Sequence, residues 1–444
     1  MNDDIIVAIA TARQEAAISI IRLSGKGVIE FTNQIFSSDL SNKKSHTITY
    51  GYIMDDEKRL DEVLVNIYRA PRTFTAEDMV EINCHGGIYI TNKILELCLK
   101  KGARLAEHGE FTKRAFLNGR IDLTQAEAVA DMVSAKTDLS SQLALKGIQG
   151  RVSRMIKKLK EELIQIITQI EVNIDYPEYD EVEELTAKTL LPLTSSFEAK
   201  VDAILRNAHN GQIMREGIKT AIVGRPNVGK SSLLNAMLEE DKAIVTDIAG
   251  TTRDIVEGQI NLDGILLQLI DTAGIHETED VVEKIGVERS LDALKKADLV
   301  LLVLDGSEPL TKEDEELLEM TKETSRLILI NKADLGTVID VEGIHISAKQ
   351  ADIQALEARI VEMFHIGELK SEDRVYLANI RHIQLMEQCR SSIHKAIEAM
   401  KNQVPVDLIV IDLYDAWQCL KDILGQEAKA DLLDELFSRF CIGK

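Results

Sequence analysis

The chain has 444 residues, with 52 Lys+Arg against 74 Asp+Glu and a formal net charge of −22. That length suits about two to four domains with real cores. No apolar run is long enough to cross a bilayer and no secretory pattern opens the sequence, so a cytoplasmic protein is expected. Five scattered cysteines with no Cys-x-x-Cys pair argue against a disulfide framework or a zinc site and for reduced thiols.

The acid excess is uneven. Residues 1–120 carry 16 basic and 16 acidic side chains, whereas 36 bases face 58 acids after residue 120. Such a surface repels phosphate backbones, so an RNA substrate would need a basic partner for much of its electrostatic grip.

In chain order, the first 120 residues read as mixed strand and helix. β-rich runs at Ile5–Ile9, Ile18–Leu23 and Leu64–Tyr68 alternate with turn signals, and a helix is predicted near Ile90–Lys100. Adjacent Cys84 and His85 invite a metal reading, but a strand-end cysteine beside a loop histidine is the plainer one. Around Ile121 the texture changes. Thr124 with Glu127 has capping-box spacing, which predicts a helix start. Ile156, Leu159, Leu163, Ile166 and Ile170 then recur every three or four residues, as on a helix with one buried face.

Asp175-Tyr176-Pro177 breaks that helix, and helical pattern resumes to about Asn210. From about Gly217 to Phe364 strands and helices alternate, as in a doubly wound parallel sheet. After Arg374 the pattern is helical to the end. There Leu432, Leu433, Leu436, Phe437 and Phe440 form an apolar face expected to dock the C-terminus. An α/β domain thus interrupts a helical region whose two halves are expected to pack together. The predicted segments are 1–120, 121–215, 216–370 and 371–444.

The strongest local signal is Gly224-Arg225-Pro226-Asn227-Val228-Gly229-Lys230-Ser231, which fits G-x-x-x-x-G-K-S. It follows the apolar strand Ala221–Val223 and opens a helix at Ser232–Leu238, as that motif requires. Backbone N–H groups of the loop close around phosphate, Lys230 reaches the β and γ phosphates, and Ser231 can ligate Mg²⁺. The apolar strand Leu266–Ile270 ends in Asp271-Thr272-Ala273-Gly274, where the Asp can hold a metal-bound water and Gly274 can offer its N–H to the γ-phosphate.

Arg326–Ile330 ends in Asn331-Lys332-Ala333-Asp334, which resembles the guanine-reading motif of GTPases, with Asp334 accepting the paired ring N–H and amino donors. Ser347-Ala348-Lys349, after Ile344–Ile346, resembles the loop that backs the base. Ile275 occupies the position where Ras-like enzymes place the Gln that orients water, so hydrolysis must recruit another group.

Ala243-Ile244-Val245-Thr246-Asp247-Ile248-Ala249-Gly250-Thr251-Thr252-Arg253-Asp254 looks like a switch I segment shared by several GTPases. The flanks are more specific. Arg72-Thr73-Phe74-Thr75-Ala76-Glu77-Asp78 with Glu81 and Cys84-His85-Gly86-Gly87, the run from Gly109 to Arg120, and the terminal Phe440-Cys441-Ile442-Gly443-Lys444 resemble the MnmE family of tRNA modification GTPases. The resemblance spans nearly the whole chain. It implies an α+β N-terminal folate-binding domain that dimerises, an all-α helical domain, and a Ras-like α/β P-loop GTPase domain inserted into the helical one.

It further implies a heterotetramer with the FAD-dependent protein MnmG. The pair would add an aminomethyl or carboxymethylaminomethyl group to carbon 5 of the wobble uridine of tRNA, with a one-carbon unit from a tetrahydrofolate derivative. By position, Asn227, Thr246, Ile248 and Thr251 would surround K⁺, and Ser231 and Thr252 would ligate Mg²⁺. Lys230 and Glu283 would be catalytic, Glu283 positioning water. The GTP contacts would run through Asn227 to Ser232, Thr246 to Thr252, Asp271 to Gly274, Asn331 to Asp334 and Ser347 to Lys349, thus including Val228, Ser232, Asp247, Ala249, Gly250, Thr272, Ala273, Lys332, Ala333 and Ala348.

Arg22, Glu81, Arg120 and Lys444 match folate-side positions. One departure is Thr11 to Ala17, where the family has a Pro- and Gly-rich loop. The rival reading is a ribosome-assembly switch GTPase, which would carry a basic RNA-binding module after the G domain; an acidic helical region stands there instead. A membrane-remodelling GTPase would need an apolar paddle or a basic amphipathic helix, and neither is present in the sequence.

Overall fold

The computed structural model describes residues 4–175, 190–239, 258–270, 297–364 and 375–443. They fall into two compact units. One comprises Met1–Ala130, Ser153–Glu162 and Trp417–Lys444, the other Asp131–Val152 and Leu163–Ala416. Among the described residues, no helix is long and apolar enough to cross a membrane.

The first unit is built on a sheet of β1 (Ile6–Ile9), β2 (Ile18–Ser24), β3 (Thr47–Asp55), β4 (Lys58–Tyr68), β5 (Met79–His85) and β6 (Arg104–Leu105), in the order β3-β4-β5-β2-β1-β6. Only β1 and β6 pair in parallel. Alternation in β4 buries Val63, Val65 and Ile67 while Leu64 faces outward, the period-two pattern of a sheet with one packed face. Helix Ile88–Lys100 lays Ile94, Leu97 and Cys98 on that face, starting where the sequence placed it within two residues.

The helix predicted around Thr124 is present as Leu123–Ser134, but its cap differs. Asp122 is the capping residue: its Oδ1 accepts from the Gln125 N–H at 3.2 Å, and Gln125 Oε1 accepts from the Asp122 N–H at 3.2 Å. Thr124 lies inside the first turn and donates to Asp122 Oδ1 at 2.7 Å, supporting the cap rather than forming it. Asp122 wins because Ser153 and Lys157 also hold its other oxygen, contacts no local spacing reveals.

The C-terminal helix, Ala430–Ser438, docks in this unit through Leu433, Phe437 and Phe440, which cluster with Leu123 and Ala126. Leu436 packs partly against them, whereas Leu432 is exposed, a correction to the five-residue face read from sequence. The chain beyond it is held by backbone. Gly109 N–H donates to Cys441 O at 3.3 Å, and His108 Nδ1 lies 2.9 Å from Phe440 O. Phe437→Ala is expected to lower stability by ~3–5 kcal/mol, the usual loss for a buried phenyl ring. Denaturant titration checks this; a shift below ~1 kcal/mol would mean that the helix is not docked.

The second unit holds β7 (Ile218–Val223), β8 (Gln259–Leu262), β9 (Ile265–Ile270), β10 (Leu299–Asp305), β11 (Arg326–Asn331) and β12 (Ile344–His345), ordered β12-β11-β10-β7-β9-β8. All neighbours are parallel except the β8–β9 hairpin at one edge. β10 runs Leu-Val-Leu-Leu-Val-Leu and every one of these side chains is buried, as expected for a central parallel strand covered on both faces. The run through β9 is interrupted by Gln268, whose amide donates to Glu216 O at 2.6 Å. Helices Leu191–Arg206 and Ile380–Lys401, drawn from the two halves of the helical sequence, pack together in this unit. His394 Nδ1 meets Glu198 across that pair at 2.9 Å. Helix Arg151–Asp175 runs through both units, burying Ile156 and Leu159 in the first and Leu163, Ile166 and Ile170 in the second, the positions its periodicity predicts.

Candidate nucleotide site

Parallel strands deliver their loops to one end of a sheet, and ligands settle where those carboxyl ends diverge. Here β7, β10 and β11 end at Val223, Asp305 and Asn331. Asp305 and Asn331 are register partners.

The loop after β7 is shaped by close approach. A Cβ on Gly224 would lie 2.5 Å from Val303 O, and one on Gly229, at φ +101, would lie 2.2 Å from Asn331 Nδ2. Asn227 takes φ +63, a conformation that Asn tolerates better than most residues. Helix Lys230–Glu239 begins at once, with Ser231 and Ser232 in its first turn. Lys230 folds back over the loop and its Nζ donates to Gly224 O (2.7 Å) and Arg225 O (2.8 Å). Burial pushes its ammonium below the ordinary lysine range. A lysine beside a helix N-terminus places positive charge and free N–H groups together, the chemistry that suits a phosphate.

Asn331 ties that loop to the next two. Its Nδ2 donates to Val228 O at 2.7 Å and its Oδ1 accepts from the Ala348 N–H at 3.0 Å, while the side chain is buried. Val228 contributes its carbonyl here; its side chain belongs to the core. Ala333–Leu335 forms a 3₁₀ turn that leaves Asp334 exposed, and Ser347 Oγ donates to Asp334 Oδ1 at 2.7 Å. Lys349 lies in the turn Ala348–Gln350. Asn331 closes β11, and Asn227, Val228, Gly229, Lys230, Ser231, Ser232, Lys332, Ala333, Asp334, Ser347, Ala348 and Lys349 sit on loops at this end of the sheet or in the helix turns that follow them. Thr246, Asp247, Ile248, Ala249, Gly250, Thr251, Thr252, Asp271, Thr272, Ala273, Gly274, Ile275, Glu283 and Lys444 lie outside the described residues.

Sequence reasoning missed Asp305. Its buried carboxylate receives Lys332 Nζ at 2.6 Å and the Ser307 hydroxyl and N–H at 2.7 and 3.0 Å. Burial opposes its charge, but Lys332 and Ser307 outweigh that and hold its carboxyl below the usual carboxylate range. The available signal was an acid closing an otherwise apolar strand.

In the first unit, Arg22, Glu81 and Arg120 converge. Arg22 Nε donates to Glu81 Oε1 at 2.9 Å, Tyr68 donates to Glu81 Oε2 at 3.1 Å, and Arg22 also donates to Gly443 O at 2.9 Å. The Arg22 and Arg120 guanidinium carbons lie 5.7 and 5.0 Å from the Phe74 ring centroid, inside cation–π range. Burial and the Glu81 charge raise the Tyr68 hydroxyl above its ordinary value. Thr11 to Ala17 is anchored at Gly86, whose carbonyl accepts from the Ala16 N–H at 3.0 Å. Cys84 is buried against Ser19 and His85 pairs with Asp61 at 2.7 Å; no group of three or more His, Cys, Asp or Glu side chains suited to a metal occurs among the described residues.

A parallel sheet whose strand ends carry a phosphate loop, pinned by an Asn to a guanine-type reading loop, defines the P-loop GTPase class. The family model for the GTP-binding protein TrmE N-terminus matches residues 5–120, and the MnmE helical domain model matches 123–441. The tRNA modification GTPase MnmE of Lactococcus lactis subsp. cremoris (strain MG1363) is 51% identical over 448 residues, covering 99% of this chain and 98% of its own. That of Enterococcus faecalis (strain ATCC 700802 / V583) is 50% identical over 460 residues, covering 100% and 99%. A crystal structure of Aquifex aeolicus Era bound to GDP and AlF4− covers 39% of this chain and 66% of its own at 27% identity, with a TM-score of 0.25. The chain belongs to the MnmE family of tRNA modification GTPases.

Proposed function

We propose that this chain binds GTP across the Lys230 and Asp334 loops and hydrolyses it to support modification of carbon 5 of the wobble uridine. The observation that carries the reading is Asn331, which fixes the phosphate loop and the base loop to each other. Ser231, directly after Lys230 in the first helical turn, supplies a hard oxygen of the kind Mg²⁺ takes beside phosphates. Asn227, Thr246, Ile248 and Thr251 are assigned to K⁺, Ser231 and Thr252 to Mg²⁺, and Glu283 to water positioning. Asn227, in its left-handed turn, has an amide oxygen suited to a monovalent cation.

Arg22, Glu81, Arg120 and Lys444 are assigned to a reduced folate. The carboxylate of Glu81, held between Arg22 and Tyr68, is an acceptor for a pterin's paired N–H donors, and Phe74 offers a stacking face. Homodimerisation, partnership with FAD-dependent MnmG, a cytoplasmic location and the segments 1–120, 121–215, 216–370 and 371–444 complete the reading. The net charge of −22 supports a partner that brings the positive charge for tRNA.

Mass analysis of tRNA nucleosides tests it. Cells lacking this chain are expected to lose the carbon-5 substituent, with restoration by the intact chain and none by Lys230→Ala. Unchanged wobble uridines would overturn the tRNA role. Equal turnover in sodium and potassium buffers would remove the K⁺ assignment, and unaltered reduced-folate binding by Arg22→Ala would remove the folate one.

A further inference from the structure

The two nucleotide loops share a second link besides Asn331. Asp305 Oδ2 lies 2.6 Å from Lys332 Nζ of the base loop and 3.9 Å from Arg225 Nη2 of the phosphate loop. Two cations from two loops thus meet one buried carboxylate at the end of the central strand. The same Arg225 Nη2 meets Glu308, on the loop after Asp305, at 2.8 Å, and Arg225 Nε lies 3.2 Å from Asp314. The Lys332 backbone sits at φ +62, so its side chain leaves the turn in a direction that an ordinary extended residue would not give. The next residue, Gly306, donates its N–H to Asn331 O at 2.9 Å, fixing the carboxylate's own loop to the base loop.

We propose that Asp305 is a positioning residue for the nucleotide, setting the spacing of the phosphate loop and the base loop through Lys332 and Arg225. A guanine nucleotide must touch both loops at once, so its affinity depends on their separation being fixed before it arrives. A carboxylate is suited to this because it attracts both cations, and its burial keeps water from screening the attraction. Nothing in the arrangement places Asp305 on the nucleotide itself; it acts through the two cations. The proposal rests on guanine nucleotide occupying these loops.

Asp305→Asn keeps size and one acceptor but removes the charge. In the full chain it is expected to weaken GDP binding, measured by calorimetry, on the order of 10- to 100-fold, the loss typical of a charge-assisted hydrogen bond. Turnover at saturating GTP is expected to stay within about twofold, because the loss falls on binding rather than on chemistry. Lys332→Met is expected to weaken GDP binding as well, and the double variant to lose less than the sum of the two single losses, since both remove the Asp305–Lys332 pair. Wild-type affinity in Asp305→Asn, or additive losses in the double variant, would overturn the proposal. If Asp305→Asn does not fold, Lys332→Met, changed at a partly exposed side chain, decides alone: wild-type GDP affinity there would overturn it. An intact chain that binds no guanine nucleotide would instead overturn the reading on which this rests.

Discussion

Gly229→Ala is expected to abolish nucleotide binding at ordinary concentrations. The new methyl would lie 2.2 Å from Asn331 Nδ2, with φ fixed at +101 where an L side chain is strained. Something must move, and the contacted atom is not the free end of a flexible side chain. Asn331 is buried and gives both of its amide ends to backbone, Nδ2 to Val228 O and Oδ1 to the Ala348 N–H. Displacing it breaks two buried hydrogen bonds at ~1–3 kcal/mol each and separates the loops they join. GDP affinity is therefore expected to fall by ~10²-fold or more, with a concurrent drop in melting temperature. Calorimetry and a thermal scan on the variant are the checks. GDP binding within about threefold of the intact chain would mean that the Asn331 clasp does not govern the site.

The second large effect concerns which base is read. Asp334 stands exposed on its 3₁₀ turn with one carboxylate oxygen engaged by the Ser347 hydroxyl at 2.7 Å. That hydroxyl orients the group. In Asp334→Asn it would keep the amide oxygen, turning the NH₂ toward the base. A donor would then face the guanine N–H and amino donors, leaving them unpaired, whereas xanthine offers a carbonyl at that edge. Sites built to hydrogen-bond one polar group reject a mismatched analogue by large factors, so GTP preference over XTP is expected to fall by ~10³-fold or more and to invert. Competition between GTP and XTP in a turnover assay measures it. A variant that keeps the intact chain's preference would remove Asp334 from base recognition. Ser347→Ala is a milder companion change, since it frees the carboxylate to rotate without removing it.

Much of this was written locally. The phosphate loop is legible because eight consecutive residues carry it, and the strand before and helix after it declare themselves by hydrophobic run and motif context. Asn331-Lys332-Ala333-Asp334 is legible for the same reason, as a short polar run closing an apolar strand. The seam from Ile156 to Ile170 follows from period alone.

What tertiary structure decided is where one local pattern has two solutions, or where partners are distant in sequence. Asp122 with Gln125 and Thr124 with Glu127 both have capping spacing. Asp122 prevails through Ser153 and Lys157, some thirty residues on. Leu432 belongs to the apolar run of its helix, yet the docking surface receives only Leu433, Phe437 and Phe440 fully, because a nine-residue helix presents one narrow face. Asp305 becomes the partner of Lys332 only when β10 and β11 pair in register, and Arg22 reaches Gly443 across 421 positions of chain. A sequence states what each segment prefers; which charges share a carboxylate is settled by strand order and burial, where desolvation leaves an unpaired group too costly to keep.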